Sequence, residues 1–74
     1  MEEVPITKQE RYEIIMDSVI QLITKGKVKE DSKLYSENQL AKKLGVSRAH
    51  VREVYSALSI FGVLERRQGE GTFL

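Results

Sequence analysis

An α+β fold, three helices closed by a C-terminal two-stranded hairpin, is predicted by three observations. Apolar residues recur at helical spacing in three separate segments. Ser36 to Gln39 and Gly45 to Ser47 carry the chemistry of helix ends. A glycine-containing turn, Gln68-Gly69-Glu70-Gly71, separates two short runs at the end of the chain.

Met1 to Thr7 is polar, holds the only proline and has no period, so residues 1–8 read as a flexible N-terminal arm and 9–74 as one domain. From about Gln9 to Thr24, Tyr12, Ile15, Met16, Val19, Leu22 and Ile23 form one stripe of a first helix. Lys25 places a cation at its C-terminus, and Gly26 accepts the left-handed conformation that ends it. The irregular stretch from Lys27 to Lys33 precedes an apolar pair, Leu34-Tyr35, expected as a short edge strand.

Ser36-Glu37-Asn38-Gln39 fits a capping box, with the Ser36 hydroxyl accepting from the Gln39 amide and the Gln39 side chain reaching back. The short second helix has Leu40, Ala41 and Leu44 as its buried stripe, and Gly45 ends it. Val46 occupies a tight turn, and Ser47 is the N-cap of a third helix running to about Phe61. Its stripe is Val51, Val54, Tyr55, Leu58 and Phe61. After Gly62, Val63 to Arg67 and Thr72 to Leu74 are expected to pair as strands.

A chain of 74 residues supports one core and no second domain. Without cysteine, neither a disulfide nor a thiolate metal site is available, so packing alone must stabilise the fold, as a reducing cytoplasm allows. Apolar runs such as Ile14-Ile15-Met16 are too short for a membrane span or a signal-peptide core. The chain is expected to be soluble, unprocessed and cytoplasmic. With His50 as the single histidine, the usual nucleophile, base and metal-ligand sets cannot be assembled. The sequence therefore predicts no enzyme, no catalytic residue, no metal and no cofactor.

The formal net charge is +1, and its distribution says more than the sum. Residues 1–35 hold six basic side chains against seven acidic ones, residues 36–74 six against four. Two helices joined by a tight turn containing glycine form a helix-turn-helix, whose second helix is sized for the DNA major groove. On the third helix Arg48, Ala49, Arg52 and Ser56 lie away from the apolar stripe, with Arg48 and Arg52 projecting together near the N-terminus. Free amides at that terminus attract phosphate, arginine offers two parallel donors to phosphate or guanine, and Ala49 permits close approach or contact with a thymine methyl. His50, nearer the apolar edge, is a candidate for a phosphate or base contact. The alternative reading of Arg48 and Arg52 is a solvated face paired with Glu53 or other acids.

The hairpin adds a basic tip, Arg66-Arg67, before a turn whose backbone can approach a phosphate or the minor-groove floor. Its structural reading is a cover for the open end of the core, anchored by Phe73. Lys42 and Lys43 are read either as DNA-backbone contacts or as ordinary exposed lysines, and Glu37 as an acid favoured by the helix dipole. The whole reads as a winged helix-turn-helix. A winged-helix protein-interaction module is the alternative, distinguished by whether the arginines form one positive face or are neutralised by Glu53, Glu65 and Glu70.

Ser36-Glu37, Leu40-Ala41, Leu44-Gly45-Val46-Ser47-Arg48, Val51-Arg52-Glu53 and Arg67-Gln68-Gly69-Glu70-Gly71-Thr72-Phe73 resemble the signature of the DNA-binding domains of GntR-family transcription regulators. The resemblance runs from about Tyr12 to Leu74, and Leu58 to Leu74 looks more like the FadR-type branch. It implies recognition of a double-stranded DNA operator by a bacterial regulator. The dimerising, effector-binding C-terminal domain of such a regulator has no counterpart within these residues. The isolated domain is accordingly expected to be monomeric or weakly dimeric, and the full regulator a homodimer.

By that resemblance Ser47 contacts phosphate, Arg48 and Arg52 contact backbone or bases, and Gly69 approaches the minor groove. The expected DNA-binding set is Ser36, Asn38, Ser47, Arg48, Ala49, His50, Arg52, Arg67, Gln68, Gly69, Gly71 and Thr72. The chain departs from the family at Glu30 and Asp31, where Pro and Gly are common, and at Tyr35, where Pro is. Asn38 stands where Arg is often found and His50 where Thr is frequent.

Overall fold

The computed structural model describes residues 7–26 and 28–74. Three helices, α1 (Lys8–Thr24), α2 (Glu37–Leu44) and α3 (Arg48–Ile60), precede a hairpin of β1 (Glu65–Arg67) and β2 (Gly71–Phe73). The fold is the expected α+β winged arrangement. Most of the expected arm, residues 1–6, lies outside the described residues. Helix α1 begins at Lys8 because the Thr7 side chain accepts from the Glu10 amide and caps it there.

Each helix end follows from local chemistry. The capping box at α2 is complete: Ser36 Oγ accepts from Gln39 N at 3.1 Å and Gln39 Oε1 accepts from Ser36 N at 2.9 Å. Gly45 ends α2 with φ +69°, a left-handed backbone in which a Cβ is strained. Two residues later Ser47 accepts from the His50 amide and starts α3. The turn is therefore set by three consecutive residues and fixes the angle between α2 and α3.

Ile15 and Val19 of α1, Leu40 and Ala41 of α2, and Val51, Val54, Tyr55 and Leu58 of α3 form one core. Leu34 and Leu64 complete it, and Tyr12, Met16, Ile23 and Leu44 pack around it. Phe61 departs from its expected place in this stripe and is 80% exposed. It lies past the last helical residue, where Gly62 turns the chain so that Val63 N and Leu64 N both donate to Leu58 O. Leu64 takes the buried position instead. The same bonds remove Val63 and Leu64 from the sheet, so β1 starts at Glu65 rather than Val63.

The hairpin is antiparallel, with Glu65 opposite Phe73, Arg66 opposite Thr72 and Arg67 opposite Gly71. Glu70 N donates to Arg67 O, and Gly69 sits at φ +77°, as the third position of a type II turn requires. The expected edge strand at Leu34-Tyr35 is a single bridge one residue earlier, Lys33 to Phe73. Tyr35 is withdrawn from pairing because its carbonyl accepts from Tyr55 Oη at 2.8 Å, and Ser36 already caps α2. The hairpin is anchored by Leu64 and by Thr72, which is 8% exposed, whereas Phe73 is only half-buried.

Candidate nucleic-acid interface

The N-terminal end of α2, the first half of α3 and the hairpin enclose an open groove of about 550 Å³. Nine of the expected site residues line it: Ser36, Asn38, Arg48, Arg52, Arg67, Gln68, Gly69, Gly71 and Thr72. Residues far apart in the chain meet there because the α2–α3 turn sets one wall and the hairpin folds back as the other. Thr72 takes part from below, since its side chain is buried and its carbonyl accepts from Leu34 N at 2.8 Å.

Ser47, Ala49 and His50 lie outside this groove. Ala49 is exposed next to Arg48. His50 turns toward α1, where its ring meets the Tyr12 ring edge-on at 5.4 Å and its Nδ1 lies 2.5 Å from Ser47 Oγ. Ser47 is engaged in capping and in that contact. Lys43 places Nζ over the Tyr35 ring at 5.4 Å, and neither Lys42 nor Lys43 lines the groove.

The groove's charge is organised around a residue read from sequence only as a dipole partner. Glu37, the first residue of α2, accepts from Arg52 Nε at 3.1 Å and from Arg66 Nη2 at 2.5 Å. Its side chain is 18% exposed, so this carboxylate forms part of the groove floor. Of the expected neutralising acids, Glu53 instead accepts from the Tyr12 hydroxyl on the α1 side, Glu65 pairs with Arg67, and Glu70 lines the groove. Arg48 has no acidic partner among the described residues. Four arginines against two glutamates leave the lining residues at a formal +2.

The two hairpin arginines have different work. Strand alternation puts Arg66 on the face of Thr72, toward the helices, where Nη1 donates to Ser56 Oγ at 2.6 Å. Arg67 faces the other way, stacked on the Phe73 ring at 4.0 Å. Its Nη2 lies 3.3 Å from Glu65 and 3.7 Å from Asp31. The hydrogen bond that Arg67 donates to the Glu65 carboxylate raises the Arg67 pKa above its ordinary value. Glu37, Arg66 and Glu70 are the groove residues absent from the expected set; the cross-strand pairing of Arg66 with the buried Thr72 is what singles out Arg66.

Three helices, a tight α2–α3 turn and a hairpin facing the N-terminal half of α3 define a winged helix-turn-helix, with an arginine-lined groove between its second and third helices and the wing. The sequence pattern of the bacterial regulatory proteins of the gntR family matches residues 11–74. The chain belongs to this family. It is 47% identical over 53 residues to the HTH-type transcriptional regulator LutR of Bacillus subtilis, covering 72% of this chain and 24% of that protein. It is 37% identical over 68 residues to the HTH-type transcriptional regulator Mce2R of Mycobacterium tuberculosis, covering 92% of this chain and 28% of the relative. It thus spans about a quarter of the length of these relatives. Among solved structures it resembles the AraR DNA-binding domain in complex with operator ORX1, with a TM-score of 0.84 and 30% identity over 100% of this chain and 92% of that one.

Proposed function

We propose that this chain is the operator-recognition module of a bacterial transcription regulator, binding double-stranded DNA with α3 in the major groove and the wing on the backbone or minor groove. The observation that carries the reading is the groove itself: Arg48 and Arg52 on α3 and the Gln68–Thr72 wing turn face the same space, with a net positive lining. A helix of 13 residues is about 20 Å long, and its width matches a major groove about 12 Å across. The AraR domain, similar over its whole fold, was solved on operator DNA.

In this reading Arg48 and Arg52 contact bases or phosphates, with Ala49 allowing close approach. Ser36, Asn38 and Ser47 lie at helix N-termini where amides and hydroxyls suit phosphate. Gln68, Gly69 and Gly71 bring the wing backbone to the DNA, Arg67 and Thr72 support it, and His50 contributes from the α1 side of α3. The module acts by binding rather than by catalysis, in the cytoplasm. Tight operator binding needs two copies on half-sites about one helical turn apart, and in this reading dimerisation and effector response belong to the rest of the regulator.

Fluorescence-anisotropy titration of labelled duplex DNA at several salt concentrations tests this. Affinity is expected to fall with salt at a log–log slope of about −0.9 per phosphate neutralised. Arg48→Ala and Arg52→Ala are each expected to weaken binding, by about 1–3 kcal/mol if the arginine reads a guanine. No binding by the folded domain at low salt overturns the reading in favour of a protein partner for the same face.

A further inference from the structure

The carboxylate at the centre of a positive groove is the feature that DNA binding leaves unexplained. A residue facing polyanionic DNA would be expected to be neutral or basic, yet Glu37 meets two of the four arginines there. Its charge is favoured where it sits, since it occupies the first position of α2, at the positive end of the helix dipole. The pairing is also directional. Glu37 Oε1 takes the Nε edge of Arg52, whose two terminal nitrogens have no hydrogen-bond partner among the described residues. Those nitrogens form the parallel donor pair that matches guanine O6 and N7. Glu37 Oε2 and Ser56 Oγ occupy both terminal nitrogens of Arg66, making it a strut between the wing, α2 and α3.

We propose that Glu37 is a specificity-determining and positioning residue: it holds Arg52 with its terminal fork turned outward for a base edge, and it withholds Arg66 and the groove floor from phosphate. The inference rests on the DNA-binding reading above. Its physical basis is that phosphate contacts add affinity without sequence information, whereas a preset arginine fork reads one base. A fixed negative charge between the two arginines suppresses the first and orients the second, so discrimination is obtained partly by disfavouring wrong contacts.

The test compares wild type, Glu37→Gln and Glu37→Asp on two probes, a duplex of scrambled sequence and a duplex selected by the wild type from random sequence, between about 50 and 200 mM salt. Glu37→Gln is isosteric, removes the charge and keeps a single oxygen able to accept from only one of the two arginines. It is expected to bind the scrambled duplex about tenfold more tightly at low salt, with a log–log slope steeper by about 0.9–1.8, the signature of one or two added phosphate contacts. The preference for the selected duplex is expected to fall. Glu37→Asp keeps the charge but shortens the reach, so the wild-type slope is expected to persist while the preference falls. Circular dichroism melts establish that each variant is folded.

A folded Glu37→Gln with the wild-type slope and preference overturns the inference and leaves DNA binding standing. So does weaker binding to both probes at an unchanged slope, which would make Glu37 structural. A Glu37→Asp slope as steep as that of Glu37→Gln overturns the role of the charge. If the wild type binds neither probe at low salt, the DNA-binding reading fails and the inference with it.

Discussion

The helix-turn-helix and the wing are held by different physics. In α2 and α3 every end is closed by a bond three or four residues away, and the apolar stripe of each helix enters one core. The wing has two strands of three residues each, held to the helices by Leu64, by Thr72 and by Arg66 reaching Ser56 and Glu37, and to the α1–α2 connection by the Lys33 bridge. Isolated hairpins are marginally stable in water, so the wing depends on the helical core while the helices depend much less on the wing. One part of the interface is therefore a rigid scaffold and the other a light attachment whose position is tuned by ion pairs.

Substitutions on the two sides should separate them most strongly. Leu40→Ala removes a side chain that is fully buried between α2 and its neighbours, and is expected to cost about 2–5 kcal/mol. For a domain of this size that approaches the whole stability, so a chemical-denaturation curve should show loss of helix and wing together. Gly69→Ala places a Cβ at φ +77° in the wing turn, with open space around it. Its strain of about 1 kcal/mol is expected to leave the helical melt little changed while weakening DNA binding. Equal loss of helical stability in the two variants would erase the distinction.

The same contrast explains what could be read in advance. Ser36, Gln39, Gly45 and Ser47 were legible because capping is an interaction between near neighbours, and the three stripes were legible because helical period is local. Phe61 was misplaced because periodicity does not report where Gly62 ends the stripe. The edge strand shifted to Lys33 because Tyr35 gives its carbonyl to Tyr55, a partner 20 residues away. Glu37 looked like a dipole residue because Arg52 and Arg66 are 15 and 29 residues distant. For the candidate site, sequence identified nine lining residues but not the carboxylate between the arginines, since its pairing exists only once α3 has packed on α2 and the wing has folded back.

Tyr55 ties α3 to the segment that runs from the Lys33 bridge into α2, and pH offers a way to load that joint. Its hydroxyl donates to Tyr35 O, and burial, with a smaller contribution from nearby Glu37, pushes its pKa from 10.0 up to about 12. The folded state thus keeps a proton that the unfolded chain loses first. The associated stability is fully present below pH 10 and is lost as pH rises through 12. A shift of that size corresponds to about 3 kcal/mol. Denaturant titrations between these limits should show stability falling more steeply in wild type than in Tyr55→Phe, which has no proton to lose. Parallel curves for the two proteins would remove Tyr55 from the joint.

The smallest effect is expected at Asp31, and it decides how the wing's far edge is held. Asp31 is the one non-glycine residue with positive φ among the described residues, at +66°, and it stands where the family resemblance places Gly. Its amide donates to Leu74 O, which ties the chain before Lys33 to the end of β2. Two terms oppose each other there. A left-handed conformation costs an ordinary residue about 1–2 kcal/mol, less for Asp, whose short polar chain bonds locally. The contact with Arg67 at 3.7 Å involves a carboxylate 82% exposed, so water screens the pair and it contributes little. Asp31→Gly relieves the strain and removes the pair, so a net gain of about 0.5 kcal/mol is expected in a thermal melt, while Asp31→Asn, which keeps a side chain suited to that backbone, should change little. A loss in both variants would show that the ion pair to Arg67, rather than backbone geometry, fixes this edge, and would extend control of the wing by charge from Glu37 to its opposite side.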